Sequence, residues 1–237
     1  MTWLWRTCFS SLASASLWAA TVSGRVELRE SKDPLVRRKQ DFSGVVISLE
    51  PVAPAPLPQP GRSRMLQKDK TFLPHVLPVM VGSTVDFPNL DPIFHNAFSN
   101  FAGQPFDVGL YPPGTSQKVH FVRDGIVRVF CNIHPTMSAV IVVVRSPYIA
   151  ISKKDGSFSI EGVEPGEYRL RVFHERASDQ MLQSLERKIV VERAPVPLPA
   201  LVVSESGYIV SPHKNKYGKD YPPVIEDRLA YPAGRTP

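Results

Sequence analysis

The chain has 237 residues, with 28 Lys and Arg against 22 Asp and Glu, a formal net charge of +6. No Lys/Arg-rich block with interleaved aromatics occurs, which speaks against nucleic acid, while the moderate positive charge suits an acidic partner or an anionic surface. Twenty-four prolines, many in short clusters, argue against a helical chain and for an all-β one with loops.

Residues 1–20 read as an export signal, with Arg6 as the positive end, a small and apolar stretch from Cys8 to Trp18, and Ala19-Ala20 as the cleavage site. Ala13-Ser14-Ala15 fits the small-x-small rule better but leaves a very short apolar region. The apolar run falls short of the roughly 18 residues of a spanning helix, and no later run reaches that length, so the chain is expected not to span a membrane. Arg6-Thr7 before Cys8 is not a lipoprotein signal. A periplasmic or otherwise exported protein is expected.

Residues 21–28 and 44–49 read as strands, 29–42 as a charged loop, and 51–60 (PVAPAPLPQP) as an extended polyproline connector. Two strands make no core, so residues 21–62 must pack against something later in the chain. Within 63–145 the candidate strands are 65–67, 76–81, 84–87, 116–121, 126–130 and 139–145, punctuated by Gly82-Ser83 and Asp124-Gly125. After Ser146-Pro147 the pattern restarts with strands at 148–152, 157–161, 168–174, 188–192 and 199–203. Lys154-Asp155-Gly156 and Pro165-Gly166 are turns. Met181, Leu182 and Leu185 place a short helix within 176–187. The expected architecture is two Greek-key β-sandwiches, one of 63–145 nested within another made of 21–62 and 146–206. Residues 207–237, rich in Pro, Lys and Tyr without apolar periodicity, form an irregular tail.

The chemistry concentrates in Cys131-Asn132-Ile133-His134-Pro135-Thr136-Met137, a thiol, an imidazole and a thioether on one short loop between two apolar strands. Soft sulfur favours Cu(I), imidazole serves both copper oxidation states, and a Cys/His/His plane with a weak axial Met suits a one-electron couple. The loop lacks one imidazole, which His95 of Asp91-Pro92-Ile93-Phe94-His95-Asn96 can provide. If the signal is removed, Cys8 leaves with it, and Cys131 is then the single thiol of an exported protein. Such a thiol needs metal ligation or burial to escape oxidation. Phe94, Pro92, Ile93 and Pro135 are candidates for an apolar rim around His134.

The other histidines are 75, 120, 174 and 213. His75 reads as a solvated edge residue, His120 as a strand-face residue, His174 as a sandwich-edge residue bonded locally beside Glu175, and His213 as part of a solvated basic stretch. No His-x-His pair supports a multicopper enzyme, and no His-x-x-x-His or His-x-x-Glu helix supports a zinc peptidase. No phosphate-binding Gly-rich loop or nucleophile elbow is present.

From about Met65 to Arg145 the chain resembles a cupredoxin, the blue-copper fold of plastocyanin and amicyanin. The resemblance lies in Phe72-x-Pro74, Val81-Gly82-Ser83-Thr84-Val85-x-Phe87-x-Asn89-x-Asp91, His95-Asn96, Gly125 and the short Cys-x2-His-Pro-x-Met loop. It implies one type 1 copper site with His95, Cys131 and His134 in plane and Met137 axial. It further implies Asn96, with its amide near the Cys131 sulfur, and Pro135 as residues supporting the ligands. The flanking segments resemble the carboxypeptidase regulatory-like domain, a transthyretin-like sandwich, through Ser23-Gly24-Arg25-Val26, residues 44–49, and the turn-rich 155–168. The combination resembles exported bacterial proteins labelled methylamine utilization proteins.

Two non-enzymatic readings stand. One is an electron carrier alternating Cu(I)/Cu(II) between redox proteins such as a cytochrome and a dehydrogenase. The other is an envelope copper-binding or protein/carbohydrate interaction module without redox turnover. The absence of a Met/His-rich tract favours the first. A metal-free adhesive sandwich is a weaker third reading.

Overall fold

The computed structural model describes residues 19–100, 103–209 and 213–221. The fold is all-β, with two short helices among the described residues. Apart from Ala19 and Ala20, the expected export signal lies outside the described residues. Among the described residues no helix is long and apolar enough to cross a membrane.

The two ends of the chain build one pair of sheets. In the first sheet, strand Ala20–Arg29 pairs antiparallel with Ser157–Val163 and parallel with Val196–Pro197 and Leu201–Ser204. The second sheet runs Ile149–Ile151, Val46–Pro51, Gly166–Phe173, Arg187–Val191, all antiparallel. Alternation along these strands turns Val22, Val26, Ile47, Leu49, Phe158, Ile160, Leu170, Leu201 and Val203 into a shared core. Its buried residues come from positions 20–49 and 158–203.

The middle of the chain has its own core of Met65, Phe72, Val85, Phe87, Phe121, Val127, Val129 and Ile141, among others. A five-stranded sheet runs Val76–Met80, Ser138–Val144, Gly125–Phe130, His95–Ser99, Phe106–Tyr111. Opposite it, Thr84–Pro88 lies between Ser116–His120 and Arg62–Arg64. A hairpin of Leu66–Lys68 and Thr71–Leu73 completes this part.

Strand Ser138–Val144 (SAVIVVV) explains how the two parts meet. Its odd-numbered Ala139, Ile141 and Val143 face the middle core. Its even-numbered Val140, Val142 and Val144 cluster with Val76 and with Val46 of the other part. A strand buried on both faces reads as an unbroken apolar run rather than an alternation. Across the same junction Nε2 of His75 lies 2.8 Å from Glu175, so His75 is exposed as expected and also has a carboxylate partner.

Six elements depart from the sequence reading, three of them the short strands Arg62–Arg64, Thr71–Leu73 and Val196–Pro197. Within the expected loop 29–42 lies a helix, Pro34–Lys39. Asp33 caps it by accepting from the Leu35 N–H at 2.8 Å, and Pro34 opens it. Six residues with one buried side chain, Val36, leave no periodicity to read. Strands His95–Ser99 and Phe106–Tyr111 were not expected either. The first is buried along its whole length, and the second contains Gly109 at φ +72°. The helix expected within 176–187 is present as Asp179–Leu185, capped by Ser178.

Candidate metal centre

His95 opens the strand that lies between Gly125–Phe130 and Phe106–Tyr111 in the five-stranded sheet, and Cys131 follows directly on strand Gly125–Phe130. Residues 131–137 then turn back into Ser138–Val144. Within this loop the Cys131 N–H donates to the Met137 carbonyl at 3.2 Å, and the Met137 N–H to the His134 carbonyl at 3.1 Å. The turn therefore projects His134 inward beside Cys131. Nδ1 of His134 lies 3.6 Å and Nδ1 of His95 3.9 Å from the Cys131 sulfur. The two imidazole rings are 4.8 Å apart between centroids, tilted by 60°. Cys131, His95 and Met137 are fully buried, and His134 is partly exposed.

A carboxylate sets the tautomer of His95. Its Nε2–H donates to Asp91 Oδ2 at 2.7 Å, which leaves Nδ1 unprotonated and facing the sulfur. Asp91 accepts in turn from the backbone N–H groups of Asp69 (2.6 Å) and Lys70 (2.9 Å). Asn89 accepts from the Asp91 N–H and donates to the Ile93 carbonyl, which fixes the turn carrying the carboxylate. Burial alone would raise the Asp91 pKa, but the bonds from Lys70, His95 and Asp69 outweigh it and keep the carboxylate ionised.

Burial lowers the basicity of both imidazoles. His95 is held below the usual range despite Asp91. His134, with His95 close by, is pushed down to about 4. Both are therefore neutral near pH 7, the state in which imidazole donates to a metal. Burial pushes the Cys131 thiol up, while backbone N–H groups of Ile133, Asn96 and His134 pull it back. The centre favours neutral or metal-bound groups over isolated charges.

The other residues singled out in the sequence are also placed. The side chain of Asn96 turns to Asp107 Oδ1 and the Gly109 carbonyl, both at 2.8 Å, and its backbone N–H faces the Cys131 sulfur. The Pro135 carbonyl accepts from His213 Nε2 at 2.8 Å. Pro92, Ile93, Phe94 and Pro135 are all at least partly exposed, as are Leu90 and Ile133. His174 bonds Glu205 at 2.8 Å rather than a sequence neighbour. His213 is stacked on Phe130 at 4.0 Å instead of standing in solvent. No sequence signal marked His213 or Tyr221, whose contacts are single polar atoms in an aperiodic tail.

Fold and site together define an all-β protein with a His95–Cys131–His134 group, buried except at the partly exposed His134, whose donor atoms all lie within 4.8 Å of one another and could hold a metal ion. No family model and no curated protein matches the chain. Among solved structures it is similar to the copper-containing nitrite reductase of Thermus scotoductus SA-01, at 29% identity over 40% of this chain and 25% of that one, TM-score 0.33. The chain thus spans a quarter of that enzyme's length. It is also similar to a purple cupredoxin of Nitrosopumilus maritimus, at 22% identity over 35% of this chain and 99% of that one, TM-score 0.32. A third likeness is to the amicyanin of Paracoccus versutus, at 20% identity over 41% of this chain and 97% of that one, TM-score 0.33.

Proposed function

We propose that the protein is a type 1 copper protein that carries single electrons. The observation carrying this reading is the convergence of the Cys131 sulfur with Nδ1 of His95 and Nδ1 of His134 at one buried point. One sulfur and two imidazoles are the donors of a trigonal blue-copper plane, and Met137 on the same loop is the proposed weak axial ligand. The donor set fits the group, because the bond to Asp91 leaves the His95 nitrogen nearest the sulfur free to donate. Copper bound there would supply a one-electron Cu(I)/Cu(II) couple.

The chain's own residues make the rest of the reading. Burial of Cys131 and His95 excludes water. The three N–H groups facing the sulfur stabilise a thiolate. Anchorage of the ligand loop between two paired strands limits its rearrangement when charge changes. Partly exposed His134, flanked in sequence by Ile133 and Pro135, is the proposed exit for the electron. A redox protein such as a cytochrome or a dehydrogenase would dock there, in an exported, periplasmic setting. As domains we propose residues 63–145 for the copper part, and 21–62 with 146–206 for a transthyretin-like host sandwich whose two segments share one core.

The test is optical. Copper-loaded protein should show an intense visible thiolate-to-copper band that is lost in Cys131→Ser and weakened or lost in His95→Ala. A colourless wild type carrying stoichiometric copper would overturn the type 1 assignment. A coloured protein that a small cytochrome cannot reversibly reduce would instead indicate an interaction or copper-binding module.

A further inference from the structure

Residues 213–221 lie against the ligand loop and are joined to it at three points. The Tyr221 hydroxyl donates to the Cys131 carbonyl at 2.8 Å. His213 Nε2 donates to the Pro135 carbonyl at 2.8 Å. The Lys216 N–H donates to Asn132 Oδ1 at 3.0 Å. Ring contacts reinforce these bonds, since His213 stacks on Phe130 at 4.0 Å and meets the Tyr221 ring edge-on at 5.2 Å. A fourth tie reaches the His95 side of the site. Lys216 Nζ pairs with Asp107 at 2.7 Å, and Asp107 accepts from Asn96, the neighbour of His95.

The segment is also braced by bonds of its own. The Asn215 side chain accepts from the N–H groups of Tyr217 and Lys219, and the Gly218 N–H closes the turn onto the Asn215 carbonyl with φ +74°. The strand that precedes it in the chain is Leu201–Ser204 of the outer sandwich, whereas Cys131 and Met137 of the ligand loop belong to the middle core.

We propose that residues 213–221 are a clasp that positions the Cys131–Met137 loop, with Tyr221 as the positioning residue for Cys131. The loop itself offers few internal bonds to hold three converging side chains. A donor on the Cys131 carbonyl fixes the peptide that carries the sulfur, and one on the Pro135 carbonyl fixes the residue after His134. The spectroscopic consequence rests on the copper reading, whereas the mechanical consequence does not.

The experiment therefore uses the full chain both without and with copper. Metal-free Tyr221→Phe, which keeps the ring and loses only the donor, should show about fivefold faster amide exchange across 132–137, the loss expected for one hydrogen bond. Exchange at Arg128 and Ile141 in the flanking strands should not change. Tyr217→Phe, at an exposed tyrosine of the same segment, is the control and should leave the loop as in wild type. With Cu(II) added, Tyr221→Phe should shift the visible band and the reduction potential relative to both. Unchanged exchange in metal-free Tyr221→Phe would overturn the clasp. Faster exchange with an unshifted band and potential would overturn the positioning role. A wild type without a band, but with the exchange difference intact, would overturn the copper reading and leave the clasp standing.

Discussion

Asp91 decides which nitrogen of His95 faces the sulfur. Its carboxylate accepts from Nε2–H, and two backbone N–H groups hold that carboxylate in place. In Asp91→Ala the ring loses its orienting partner and the Asp69 and Lys70 N–H groups lose their acceptor. Copper affinity should then fall by about 10–100-fold, the usual cost of removing such a partner from a ligating histidine. Competition against a chromogenic chelator measures this, and an affinity within twofold of wild type would show that His95 needs no orienting. At this scale the sequence was informative where donors share a loop. Cys131, His134 and Met137 are spaced within seven residues, and His95 joined them because the loop was one imidazole short. Asp91 was visible only as part of a motif, since a carboxylate four residues before a histidine has many uses. Tyr221 and His213 were not legible at all, because a phenol on a carbonyl leaves no pattern in the chain.

Elements were legible in proportion to how strongly one face is apolar. Gly166–Phe173 alternates cleanly and Ser157–Val163 does so up to Glu161, and both were expected within one or two residues. Ser138–Val144 was expected as a strand, but its second face, which meets Val46, could not be assigned from an unbroken apolar run. His95–Ser99 was missed because a fully buried strand containing His95, Asn96 and Ser99 has neither alternation nor a continuous apolar run. The proposed host sandwich makes a prediction about its own strands. Ala20–Arg29 is the strand on which Ser157–Val163, Val196–Pro197 and Leu201–Ser204 all pair. Val46–Pro51 likewise bridges Ile149–Ile151 and Gly166–Phe173. A polypeptide of residues 148–205 lacks both central strands and the core residues Val22, Val26, Ile47 and Leu49. It should show no cooperative thermal transition by circular dichroism. A sharp transition would refute the discontinuous domain.

At the scale of the whole molecule, Glu205 ties the first strand's exit, the loop before the first helix, and the end of Gly166–Phe173 to the start of the tail. It accepts from Ser31 at 2.6 Å, His174 at 2.8 Å and Arg176 at 3.0 Å, while its N–H donates to the Arg29 carbonyl at 2.9 Å. Arg176 is paired further with Asp33 at 3.2 Å. Burial disfavours the Glu205 carboxylate, yet the bonds from His174, Arg176 and Ser31 outweigh it and bring the pKa down from 4.5 to about 2. A carboxyl whose folded pKa is depressed binds fewer protons folded than unfolded between those two values. Its stabilisation is therefore complete above about pH 4.5 and is lost progressively as the pH falls toward 2. Glu205→Gln should cost about 3 kcal/mol at pH 7, because it removes the charge of a buried carboxylate that three side chains bond and leaves Arg176 only Asp33 and Glu175. Urea titrations of metal-free wild type and variant at pH 7, 5, 4 and 3 isolate this group, since all other carboxylates are common to both. The gap between the two proteins should be constant from pH 7 to 5 and should narrow at pH 4 and again at pH 3. A gap that stays constant down to pH 3 would mean that Glu205 holds these segments together by shape and not by charge.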